Sequence, residues 1–155
     1  MKRKDAWRRL SGSVLFLALW ILSASPALAA TIYVGGDSDP YLDIQQAIDA
    51  AQNGDEIIVR DGVYSPPDYK GIDFKGKAIT LRSEKGRANC IIDGGKSKRG
   101  FYFHSGESAL SKIDGFTIRN CKSSGCGIYC RQEGGGIYCF DRSSPTIVNC
   151  TLNGN

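Results

Sequence analysis

The sequence predicts an all-β chain whose short strands stack in parallel, a β-solenoid of about three coils headed by one α-helix. Three observations carry that expectation. Strand–turn–strand units recur. Gly127-Ile128-Tyr129-Cys130 returns as Gly136-Ile137-Tyr138-Cys139. Thr117-Ile118-Arg119-Asn120-Cys121 returns as Thr146-Ile147-Val148-Asn149-Cys150 about 29 residues later, within the period range of stacked repeats. Short groups of Val, Ile, Phe, Tyr and Thr alternate with turns of Gly, Asp, Asn and Ser, residues that accept left-handed backbone. A single amphipathic segment stands near the start, where a helix can cover the raw edge of a β-stack.

The first residues read as a leader. Lys2, Arg3, Lys4, Arg8 and Arg9 form a basic region. Val14 through Leu22 is apolar, and Ala27-Leu28-Ala29 supplies an A-x-A site. Residues 1–29 therefore read as a signal peptide cleaved after Ala29. The apolar run falls well short of the roughly 20 residues that span a bilayer, so no membrane span is expected after cleavage. The chain is expected to be exported: secreted, periplasmic or on the cell surface. The net charge of +4 lies largely in this leader. No basic run with interleaved aromatics follows, so nucleic acid is not an implied partner.

Residues 30–155 then make one domain. Thr31-Ile32-Tyr33-Val34 is the opening strand. Asp43 is placed to N-cap a helix, with Gln46 completing a capping-box pair, and Ile44, Ala47, Ile48 and Ala51 form one apolar stripe. Asn53-Gly54 ends it. Strands are expected at Ile57–Val59, Ile72–Phe74, Ala78–Leu81, Cys90–Ile92, Phe101–Phe103 and Phe116–Ile118, with Pro66 and Pro67 in a loop.

The strands fall into rows. Gly71-Ile72-Asp73-Phe74, Gly100-Phe101-Tyr102-Phe103 and Gly136-Ile137-Tyr138-Cys139 share one form. Ile79-Thr80-Leu81, Phe116-Thr117-Ile118 and Thr146-Ile147-Val148 share a second. An antiparallel sandwich would need tight hairpins, with which Asp61-Gly62 and Lys75-Gly76 are compatible, but it does not explain the recurrence of whole units.

The stretch from Ile44 through Tyr64, together with Ile91-Ile92-Asp93-Gly94, Ile113-Asp114-Gly115-Phe116-Thr117-Ile118 and the Gly-Gly-Gly-Ile-Tyr unit, resembles the right-handed parallel β-helix proteins of the pectin-lyase-like superfamily. The resemblance implies a right-handed β-helix with an N-terminal capping α-helix. Members usually carry many more coils and a C-terminal cap. The expectation is therefore that 30–155 is the N-terminal cap and first coils of a longer domain.

Candidate site residues follow from the rows. Asn120 and Asn149 are expected to stack as a structural ladder. Cys121 and Cys150 are expected to lie one above the other, as a disulfide or as stacked thiols, and Cys130 and Cys139 are candidates for the same. Cys126, Cys130 and Cys139 cluster nearby, with spacings looser than zinc prefers and His104 as the single histidine. Tyr102, Tyr129 and Tyr138 can project from the coils and stack on sugar rings, or face the core. Catalysis in the superfamily uses acidic residues, with calcium in lyases or as paired Asp in hydrolases. Asp73, Asp93, Asp114 and Asp141 are available but read first as turn residues. No cofactor is evident, with calcium to be added if the chain is a lyase. The sequence reading is a non-catalytic exported module contacting polysaccharide or another cell-surface component. Its alternatives are the N-terminal part of a polysaccharide lyase or glycoside hydrolase, and a structural stalk or passenger segment.

Overall fold

Parallel pairing dominates the chain. The structure, a computed structural model, describes residues 28–123 and 134–155. The strands are β1 (Thr31–Val34), β2 (Glu56–Val59), β3 (Gly62–Tyr64), β4 (Ile72–Asp73), β5 (Thr80–Ser83), β6 (Cys90–Asp93), β7 (Phe101–Phe103), β8 (Lys112–Asp114), β9 (Thr117–Arg119), β10 (Ile137–Cys139), β11 (Thr146–Val148) and β12 (Thr151–Asn153), with one helix, α1 (Ile44–Ala50). They form three parallel sheets, ordered β1-β2-β5-β8-β11, β3-β6-β9-β12 and β4-β7-β10. From β2 on, the chain visits them in a fixed cycle, first, second, third, then first again. Parallel neighbours need a long connection between them. Between β1 and β2 that connection contains α1; from β2 on, each connection consists of the strands of the other two sheets.

Alternation within each strand directs one side chain set into a common core. Phe101 and Phe103 are fully buried, as are Leu81, Ile92, Ile113 and Ile118 from the other two sheets. Rings interlock between layers: the Phe74 and Phe103 centroids lie 4.9 Å apart, and those of Phe101 and Phe116 6.4 Å. Burying each such side chain contributes about 2–3 kcal/mol. Three glycines immediately precede successive strands of the third sheet, Gly71, Gly100 and Gly136. A Cβ on Gly100 would stand 2.8 Å from the Ile118 methyl, so the layers close only around a bare backbone there.

The first row is paired in register: Ile72 with Phe101, Asp73 with Tyr102, Ile137 with Phe101 and Tyr138 with Tyr102. The second row is corrected. Thr80 and Leu81 pair with Lys112 and Ile113, and Ile147 also pairs with Ile113, in the first sheet. Thr117 and Ile118 lie in the second sheet, opposite Ile91 and Ile92 on one side and Thr151 and Leu152 on the other. The expected ladder of Asn120 over Asn149, and of Cys121 over Cys150, is therefore absent. Each pair occupies two different corners. The backbone of Cys121 instead donates to the Asn155 side chain, at 2.9 Å.

The sequence echo has a local cause. Asn120 and Asn149 each follow a strand with φ of 52°, and each turns the chain toward the next sheet. Each side-chain amide donates to an Asp in the round before, Asn120 to Asp93 and Asn149 to Asp114. Each following thiol donates to the carbonyl two residues back, Cys121 to Arg119 and Cys150 to Val148. One turn design is used at two corners.

Asp43 N-caps α1, accepting the Gln45 and Gln46 amides at 2.7 and 3.2 Å. Gln46 thus meets Asp43 through its backbone rather than through its side chain. Ile44, Ala47, Ile48 and Ala51 are buried, and the helix packs on β1, β2 and β4. It ends at Ala50, short of Asn53-Gly54. Those two residues instead hold the entry to β5, through Gly54 N to Ala78 O and Ala78 N to the Asn53 side chain. The strands β3, β8 and β12 were not expected from periodicity. Val63 in β3 is 62 % exposed, so its short run carries no buried alternation to read. The leader up to residue 27, Cys126, Cys130 and Tyr129 lie outside the described residues.

Candidate functional site

The outer face of the third sheet gathers Tyr102, Tyr138 and Phe140, three partly or fully exposed aromatic side chains. With Phe101 and Phe103 inward, alternation sends Tyr102 outward, and His104 follows on the same side. Register places Tyr138 beside Tyr102. The bond from Phe140 N to Phe103 O, at 2.8 Å, places Phe140 beside His104. The Tyr102 and Tyr138 rings are near-parallel at 5°, with centroids 5.7 Å apart. His104 stacks on Tyr102 at 4.2 Å, and Phe140 lies 6.2 Å from Tyr138.

Arg99 completes the group. Its guanidinium carbon lies 5.1 Å from the Tyr102 centroid and 4.7 Å from that of Tyr138. It is anchored by Nε donating to Gly134 O at 3.0 Å. Each such cation–π contact contributes about 0.5–1 kcal/mol at a partly exposed site. Asp73, opposite Tyr102, receives His104: Nε2 and Oδ2 are 3.0 Å apart. The other Asp73 oxygen accepts the Lys75 amide at 2.7 Å, which fixes the carboxylate. The face therefore offers aromatic surface, a guanidinium and an imidazole held by a carboxylate. Aromatic rings contact the C–H faces of sugars, and the guanidinium donates to hydroxyls or acidic groups.

The other acids are committed elsewhere. Asp93 receives Gly95 N and Arg119, and these hold its carboxyl below the usual range despite burial. Asp114 is pushed up by burial, but Lys112 and Asn149 outweigh that and lower it. Asp141 is an exposed turn residue with φ of 47°. The four aspartates suggested by the sequence thus lie on three sheets and a turn, without converging. Among the described residues, no group of three or more His, Cys, Asp or Glu could hold a metal ion. No described helix is long and apolar enough to cross a membrane.

The described cysteines, Cys90, Cys121, Cys139 and Cys150, are free thiols. Burial pushes Cys90 up to about 12 and Cys121 up to about 11, which suits packing rather than nucleophilic chemistry. Reading along the sequence missed Arg99 and Phe140. Extending the first row by two residues beyond Phe103 and Cys139 pairs His104 with Phe140, and that signal was available. Nothing local to Arg99 predicts that it bridges two rings from different rounds. No protein-family model, curated protein or solved structure matches the chain.

Proposed function

We propose that the chain is an exported right-handed parallel β-helix of the pectin-lyase-like kind, capped at its N-terminal end by α1, which binds polysaccharide through the outer face of its third sheet. The β-helix reading is supported by the cyclic visiting order of three parallel sheets around one core. Right-handedness follows the strong preference of parallel crossovers. The observation that carries the binding reading is the near-parallel Tyr102–Tyr138 pair under Arg99, extended by Phe140, which is 57 % exposed. Ordered rings lose little freedom on binding a stiff glycan chain.

Affinity electrophoresis through gels cast with neutral and acidic polysaccharides tests this. Retardation by at least one polysaccharide is expected, and Tyr102→Ala with Tyr138→Ala should weaken it about tenfold or more. Migration unaffected by every polysaccharide in the panel would overturn the reading.

The His104–Asp73 pair favours a second reading, the lyase or hydrolase. A carboxylate-held imidazole is a competent proton acceptor. New reducing or unsaturated ends generated by the wild type, and lost in His104→Asn, would replace binding with catalysis.

A further inference from the structure

The nitrogen of Ala30 lies 2.8 Å from Asp55 Oδ1. Asp55 is only 7 % exposed, and its other oxygen accepts Gln52 N at 2.8 Å. Its backbone is fixed as well, its N–H on Gln52 O and its carbonyl accepting Thr80 N. Among the described residues no Lys, Arg or His pairs with this buried carboxylate. A buried carboxylate without a counter-charge is costly, and structures commonly supply one. The residue facing it is the one that the A-x-A pattern leaves at the start of the processed chain. Leu28, Ala29 and Ala30 are exposed and precede β1 without regular structure, so the Ala29–Ala30 bond is accessible.

We infer that removal of the leader at Ala29–Ala30 creates the missing cation, an α-ammonium on Ala30 that seats on the Asp55 carboxylate and locks β1 onto β2. This rests on the proposed export of the chain. In the step, water adds across the Ala29–Ala30 amide. Ala29 departs with the new carboxylate, and Ala30 keeps the nitrogen and takes up a proton at neutral pH, since α-amines titrate near 7.7–8.0. The neutral N–H···O contact of the uncut chain becomes a charge-assisted one in the same place. Position is decisive. Glu56 N holds Ala30 O at 2.9 Å, so the nitrogen is fixed by the sheet. A cut after Ala27 would leave the charge two residues further out, about 7 Å of extended chain away.

Two measurements test it. The full chain is expressed in a bacterial host with its leader, and the intact mass of the exported product is read. A product beginning at Ala30 is expected. Failure of any cleavage would overturn the export reading, and a cut elsewhere would overturn this inference alone. Separately, chains made to begin at Ala30 are compared with a free α-amine and with that amine acetylated. The free-amine form should melt higher by on the order of 4 °C. The gap should close in Asp55→Asn and shrink in a chain beginning at Ala29. Equal melting of the amine and acetyl forms in the wild-type background would sink the proposal even with correct cleavage. If Asp55→Asn does not fold, the amine–acetyl comparison decides alone.

Discussion

Glu107 is 1 % exposed and, among the described residues, pairs with no Lys, Arg or His, yet it is held by hydrogen bonds from three rounds of the chain. Its Oε1 accepts Gly76 N at 2.9 Å, and its Oε2 accepts Ser105 N at 2.9 Å and the Ser143 hydroxyl at 2.6 Å. These donors follow β4, β7 and β10, so one carboxylate staples three layers where the chain leaves the third sheet. Burial pushes its pKa up, but the Ser143 hydroxyl and the two amides outweigh that and leave it lowered. Glu107→Ala should cost about 3 kcal/mol and Glu107→Gln about half of that, read from urea unfolding midpoints at pH 7. Nothing in Gly106-Glu107-Ser108 announces this role, because the Gly76 and Ser143 donors are 31 and 36 residues away in sequence. The outward aromatic set was more legible, since Phe101-Tyr102-Phe103 alternates. Even so, the choice between outward and core-facing Tyr102 needed the neighbouring sheets.

At the scale of elements, α1 depends on partners that only the fold supplies. Lys77 Nζ donates to the carbonyls of Ile48, Asp49 and Ala51 at 2.7, 2.8 and 2.8 Å, closing the helix C-terminus with a cation. Gln45 pairs both ways with the Asp73 backbone, N–H to Oε1 and Nε2 to carbonyl, each at 2.9 Å. The side-chain amide thereby imitates a further strand and covers the free edge of β4. Lys77→Met should leave three carbonyls without this donor and cost about 2 kcal/mol. Amide exchange should accelerate at Ala47 and Ala51 while Phe103 and Ile118 keep their protection. Uniform acceleration across all four amides would contradict a local capping role. The helix itself was visible in Ile44, Ala47, Ile48 and Ala51, because burial repeats at helical spacing. The rows were half visible. Gly71, Gly100 and Gly136 share a layer constraint, so their similarity reports stacking. Asn120 and Asn149 share a turn conformation, so theirs reports local geometry. Periodicity alone cannot separate those two causes.

Across the whole molecule, the lowered carboxyls and raised thiols define a pH range. Asp39, Asp49, Asp93, Asp114 and Glu107 all titrate below their ordinary values of 3.8 and 4.5 when folded. Their contribution is complete above those values and is lost as pH falls through the folded ones. Cys90, Cys121 and Tyr64 are raised by burial, from 9.0, 9.0 and 10.0. Their contribution is complete below those values and is lost as pH rises past them, because only the unfolded chain then ionises. Urea midpoints should therefore be flat from about pH 5 to 7 and fall on both sides. A midpoint still rising between pH 4 and pH 3 would contradict the acid limb. The cyclic order of the sheets also governs how the chain acquires its structure. Among the described residues no strand pairs with a partner closer than the 24 residues from Glu56 to Thr80, and Phe101 reaches Ile137 only after 36. Every ladder thus requires a long loop to close before it is rewarded, which places the chain among slow, high-contact-order folders. A chain emerging N-terminus first meets that difficulty in order. α1, β1 and β2 supply the first finished edge, and each later round zips onto the one before it.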